Sequence, residues 1–105
     1  ALENLDKIFQ VKGVDGYIIG PYDLSASLGC QGDFKNINFV KAINKIKKIG
    51  IKCKCTSGIH IVEPDLKLLK KAITDKFKFI AFSVDIRILD NSVNLTSKFI
   101  KNILQ

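Results

Sequence analysis

The chain has 105 residues, 47% of them hydrophobic, and a formal net charge of +7 from 17 basic and 10 acidic side chains. That length holds one domain of ordinary size, and the apolar fraction is too high for disorder throughout. No apolar run approaches the roughly 18 residues of a membrane span, and the start lacks the basic–apolar–small succession of a signal peptide, so the expected location is cytoplasmic with no membrane partner.

Leu2, Leu5, Ile8 and Phe9 recur at helical spacing and predict an amphipathic helix over about 2–11, broken by Gly13. Val14 to Ile19 has strand composition and is stopped by Gly20-Pro21. Asp23 to Leu28 makes one helical turn or two before Gly29, and 32–38 is loop-like. From Ile37 the positions Val40, Ile43, Ile46 and Ile49 lie three apart with lysines between them, which predicts a helix ended by Gly50 as its cap. Ile51-Lys52-Cys53-Lys54-Cys55 alternates strictly and predicts a second strand. Pro64 suits the first turn of a helix striped by Leu66, Leu69, Ala72 and Ile73, with Glu63 and Asp65 near its positive end. Phe77 to Val84 is the third strand, Asp85 to Asp90 a turn or short helix, and Ser92 or Asn94 caps a last helix with Leu95, Phe99, Ile100 and Ile103.

The order is therefore α-β-α-β-α-β-α, an α/β pattern in which strands separated by helices pair in parallel with right-handed crossovers. Three parallel strands cannot close a barrel. They form a small open sheet, or three of the eight units of a (β/α)₈ barrel, and helices on one side only would leave the other face bare.

Sites in parallel α/β folds form at the carboxyl ends of the strands. Those ends are expected at Gly20-Pro21-Tyr22-Asp23, at Thr56-Ser57-Gly58-Ile59-His60 and at Ser83-Val84-Asp85. Asp23 follows a Gly-Pro turn directly after an apolar strand; a carboxylate there can bind a divalent metal, act as a base or cap the next short helix. His60, the single histidine, serves as a base, a ligand or a hydrogen-bonded rim residue. Asp85 fits a structural turn, and no Gly-rich phosphate loop is present.

Charge and cysteine narrow the classes further. Sixteen of the 17 basic residues are lysines, scattered over helical segments, and Arg87 is the single arginine. Without guanidinium forks a nucleic-acid face is not expected, and with 16 Ile and seven Asn the lysines fit a compositional bias and a solvated surface. Three cysteines, Cys30, Cys53 and Cys55, do not make a disulfide framework. Cys53 and Cys55 are expected on the inward face of a strand, and a zinc site would need two more ligands.

The run Val14-Asp15-Gly16-Tyr17-Ile18-Ile19-Gly20-Pro21-Tyr22-Asp23-Leu24-Ser25-Ala26-Ser27-Leu28-Gly29 resembles the signature of the HpcH/HpaI family of metal-dependent pyruvate aldolases, which share a superfamily with the citrate lyase β-chain. Similarity continues through Gly58-Ile59-His60 and Phe79 to Asp85. The resemblance implies a (β/α)₈ barrel that cleaves or forms 4-hydroxy-2-oxo acids, giving pyruvate or a related 2-oxo acid and an aldehyde through a metal-stabilised enolate. It implies a divalent cation, Mg²⁺ or Mn²⁺, with Asp23 as a metal ligand. Backbone amides around Gly20, Tyr22 and Asp23 would hold the 2-oxo acid carboxylate, and Ile88 would line the substrate pocket.

The metal-binding Glu of that family, and its catalytic Arg and His, would lie on earlier strands, so no catalytic residue is assigned within this chain. Residues 1–105 are expected to be the C-terminal portion of a single barrel, its last three strands and four helices, inactive alone. The start at Ala1 without a methionine fits such a piece. A homo-oligomer is the expected assembly. The alternative is a non-catalytic α/β interaction module that assembles with itself or completes another chain through its bare sheet face.

Overall fold

In the computed structural model, which describes residues 2–105, eight elements follow one another: α1 (Leu5–Phe9), β1 (Gly16–Ile19), α2 (Pro21–Ser27), α3 (Ile37–Lys52), β2 (Thr56–Ile61), α4 (Leu66–Thr74), β3 (Phe79–Phe82) and α5 (Asp85–Leu104). The strands form one parallel sheet in the order β1-β2-β3. Ile18 pairs with Gly58 and Gly58 with Phe79, so these three share one face. Tyr17, Ile19, Ile59, Ile61, Ile80 and Phe82 belong to the other face and join the core with Leu5, Phe9, Ile46, Cys55, Ala72 and Phe77. Helices α3 and α4 pack on that second face. With helices on one side only, the first face is bare: Ile18 is 50% exposed and Phe79 58%.

The helix ends explain where the strands start. Asn36 caps α3 by accepting from the Asn38 N–H at 2.9 Å, and Asp65 caps α4 by accepting from the Lys67 N–H at 2.7 Å. Pro64 thus precedes the cap and lies outside the first turn. At the other end, α3 runs past Gly50 to Lys52, and Lys54 then takes a left-handed φ of 58°. The Cys55 N–H reaches back to the Gly50 carbonyl and the Lys54 N–H to that of Ile51, which is a Schellman closure. Helix α4 closes identically: Lys76 has φ 64°, Phe77 N–H donates to Ala72 and Lys76 N–H to Ile73.

Two expectations change as a result. The strand predicted over Ile51–Cys55 lies five residues on, at Thr56–Ile61, because the alternating segment is consumed by the last helical turn and its closure. Gly50 is not a cap. It sits inside α3 above the Tyr17 ring, where a Cβ would come within 2.5 Å of Tyr17 Cε1, so its missing side chain lets helix and sheet approach. Tyr17 stacks on Phe9 with ring centroids 4.7 Å apart.

Five helices are present where four were expected, because 21–27 forms a helix of its own, closed by Gly29 at φ 72°. The predicted first helix contracts to Leu5–Phe9. Asp85–Asp90, expected as a turn or short helix, is helical and runs without a break into the last helix: α5 is continuous for 20 residues, and neither Ser92 nor Asn94 caps anything. None of its residues is buried. Among the described residues no helix is long and apolar enough to cross a membrane.

Candidate active site at the carboxyl rim

The carboxyl ends of the three strands lie side by side. From β1 the chain passes through Gly20, the cap of α2, to Pro21 at its first position. The first intrahelical bond is Leu24 N–H to the Gly20 carbonyl at 2.9 Å, which leaves the Tyr22 and Asp23 N–H groups ahead of it at the rim. Asp23 is in the first turn, and no side-chain hydrogen bond caps α2. Its exposed carboxylate instead folds back over Gly20, where a built Cβ would stand 3.1 Å from Oδ2. The Tyr22 ring turns outward, edge-on to Phe34 with centroids 5.1 Å apart. Behind this turn, fully buried Ser25 donates to the Tyr22 carbonyl at 3.0 Å and accepts from the Gly32 N–H at 3.0 Å, fixing α2 to the following loop.

The second rim segment differs from expectation. Thr56 to His60 are not beyond the strand but form it, and the residues that follow are Val62 and Glu63. His60 is a strand residue whose Nε2 lies 3.3 Å from the Ser83 carbonyl; a carbonyl only accepts, so that nitrogen carries the proton. Ser83 is held at φ 60°, with its N–H on the Ile61 carbonyl at 2.6 Å and its Oγ donating to the Val62 carbonyl at 2.8 Å. His60 and Ser83 thereby lace β2 to β3, and the ring is engaged in that lacing.

After β3, Asp85 opens α5 and accepts from the Ile86 N–H at 2.7 Å. Ile88 stands one turn on, 47% exposed. Between them Arg87 donates from Nη2 to Glu63 Oε2 at 2.7 Å and from Nη1 to Asp90 Oδ2 at 3.3 Å. Glu63 raises the Arg87 pKa through its hydrogen bond and charge. The Arg87 Nε is buried yet has no partner. This Glu63–Arg87 pair went unpredicted, since its members are 24 residues apart and only the parallel sheet brings them together.

Asp23 offers a hard oxygen of the kind Mg²⁺ or Mn²⁺ prefers. In number the donors fall short: among the described residues no group of three or more His, Cys, Asp or Glu converges. Cys53 and Cys55 lie in the α3–β2 connection, not on a strand, and the buried Cys55 thiol donates to the Phe9 carbonyl at 3.4 Å. A cavity of about 340 Å³ between α3 and α4 reaches Tyr22, His60 and Glu63 at its upper end but does not include Asp23.

The family model for HpcH/HpaI aldolase/citrate lyase matches residues 1–92. A 2-keto-3-deoxy-L-rhamnonate aldolase of Klebsiella pneumoniae is 40% identical over 86 residues, 81% of this chain and 31% of that protein. A hydroxypyruvate/pyruvate aldolase of Roseobacter denitrificans is 38% identical over 92 residues, 87% of this chain and 35% of that protein. Among solved structures, an HpcH/HpaI aldolase from Desulfitobacterium hafniense superposes with a TM-score of 0.85 at 27% identity, covering 96% of this chain and 39% of that one. The chain thus spans about a third of the length of the curated relatives it matches. With three parallel strands, helices on their outer face and a match over residues 1–92, the chain belongs to the HpcH/HpaI aldolase/citrate lyase family and folds as part of its barrel.

Proposed function

We propose that residues 1–105 are the C-terminal portion of a single (β/α)₈ barrel, a cytoplasmic metal-dependent aldolase that cleaves or forms 4-hydroxy-2-oxo acids, yielding pyruvate or a related 2-oxo acid and an aldehyde. The observation that carries this is the Asp23 carboxylate, exposed at the carboxyl end of β1 and folded over a glycine. Family membership and the aldolase names of the relatives support it.

In this proposal Asp23 is one ligand of Mg²⁺ or Mn²⁺, and the remaining oxygen donors come from outside these residues. The cation supplies Lewis-acid stabilisation of negative charge developing on the 2-oxo group. The chain's own part is positional. In this reading the Gly20, Tyr22 and Asp23 N–H groups would hold the substrate carboxylate, and Pro21 has no N–H to add. The missing side chain of Gly20 leaves room for the Asp23 carboxylate, and Ile88 would line the pocket on the β3 side.

In the full-length protein Asp23→Ala is expected to abolish metal-dependent release of pyruvate; unchanged metal dependence would sink the ligand assignment. The isolated chain with Mg²⁺ and a 4-hydroxy-2-oxo acid is expected to release none.

A second reading, the self-assembling module, is favoured by α5, in which Ile86, Leu89, Val93, Phe99, Ile100 and Ile103 are all at least half exposed. Helices in proteins draw most of their stability from packing an apolar face, and α5 buries none of its residues within the chain, which calls for a partner surface. Homo-oligomerisation meets that need and is compatible with the aldolase. Light scattering on the chain is expected to give a mass above 11.7 kDa; a folded monomer would count against assembly.

A further inference from the structure

We propose that Arg87, clasped between Glu63 and Asp90, is a specificity-determining residue that reads hydroxyl groups on the aldehyde partner, selecting a neutral hydroxylated aldehyde over one that carries a second carboxylate. This rests on the aldolase function proposed above and extends it to the half of the substrate that Asp23 does not address.

Position comes first. Arg87 lies in the first turn of α5, directly after β3, and Glu63 lies two residues after β2. Their 2.7 Å contact therefore spans two neighbouring strand ends on the face where barrel enzymes place their chemistry. Ile88 is the next residue along.

Charge comes second. The whole chain is +7, yet the rim segments 20–23, 62–65 and 83–90 hold five carboxylates, Asp23, Glu63, Asp65, Asp85 and Asp90, against Arg87 alone, with no lysine. Arg87 is already paired twice. These three strand ends are net negative in a net basic chain, a setting that would favour a divalent cation. A second anion on the aldehyde partner would meet carboxylates that Arg87 alone does not neutralise.

Hydrogen-bonding capacity comes third. Arg87 is 43% exposed, and Nη1 and Nη2 each carry a second N–H beyond the one engaged, while the buried Nε is out of a substrate's reach. Glu63 and Asp90 are acceptors fixed beside it. A hydroxyl both donates and accepts, so one placed between guanidinium and carboxylate satisfies both, as neither an alkyl group nor a carboxylate does. A site built to bond a hydroxyl rejects the analogue lacking it, because its polar groups are then left unpaired.

The experiment uses the full-length protein with Mg²⁺ and pyruvate. Aldol addition is measured with glyceraldehyde, propanal and glyoxylate. Deuterium exchange at the pyruvate methyl, with no aldehyde present, reports the 2-oxo acid half separately. Arg87→Ala is expected to lower kcat/KM for glyceraldehyde about tenfold, mostly through KM, with propanal and exchange changed less than about twofold. Arg87→Lys, which keeps the charge opposite Glu63 and guards against misfolding, is expected to lose the same preference in part. Glu63→Gln is expected to improve use of glyoxylate several-fold. Equal losses with glyceraldehyde and propanal, or an unchanged ratio in both Arg87 variants, would overturn the proposal. No exchange in the unsubstituted protein would overturn the aldolase function itself, and this inference with it.

Discussion

At the scale of single residues, the costliest polar group lies beneath α3, away from the rim. The Tyr17 hydroxyl is buried without a hydrogen-bond partner, pressed under Gly50 and stacked on Phe9. Burial first, and the nearby Cys55 thiol second, raise its pKa above the ordinary 10.0. Relative to its ionised form, a phenol so shifted favours the fold. That contribution is full below about pH 10, where the unfolded chain's tyrosine ionises, and is lost as pH climbs through the higher folded value. Urea midpoints are expected to fall above pH 10 in the parent and to fall less in Tyr17→Phe. At pH 7 the same variant is expected to gain about 1 kcal/mol, since it removes an unsatisfied buried hydroxyl without changing the ring. A loss of stability in Tyr17→Phe would mean that the hydroxyl has a partner in solution.

Among the elements, α3 and α4 end in the same way with the wrong residue for the job. Lys54 and Lys76 occupy the left-handed position that Gly29 holds after α2. A side chain there costs on the order of 1 kcal/mol, which glycine avoids at some entropic expense. Lys54→Gly and Lys76→Gly are each expected to stabilise by about 0.5 kcal/mol, read as a rise in the urea midpoint at constant slope; two losses would argue against the left-handed closure. These lysines also show why the second strand was misplaced. Gly29 announces its helix end, whereas Lys54 sits in an alternating run that mimics a strand. The runs at β1 and β3 were legible because both faces of each are apolar. Asp23 was legible because Gly20-Pro21 punctuates the strand before it. The Glu63–Arg87 clasp was not, because its partners meet only through tertiary pairing, and nothing local to either marks the other.

On the scale of the whole molecule, the radius of gyration is 17.1 Å, against about 13 Å for a compact domain of this length. The long dimension of 59 Å reflects α5, which at about 1.5 Å per residue extends roughly 30 Å. Two apolar surfaces are left open, the α5 stripe and the bare sheet face at Ile18 and Phe79, and the α5 stripe has more members. If the chain self-associates, Val93→Glu with Ile100→Glu is expected to lower the scattering mass more than Phe79→Ser, with circular dichroism checking that the sheet survives. The reverse order would place the association on the sheet. The twin helix closures bear on how such a molecule assembles in time. Each reversal is sealed by bonds between residues three to five apart, a loop short enough to close on the order of tens of nanoseconds. The corners can thus form before distant strands meet, so β2 and β3 reach their neighbours with direction already set. The non-local pairing of the parallel strands is left as the slow step.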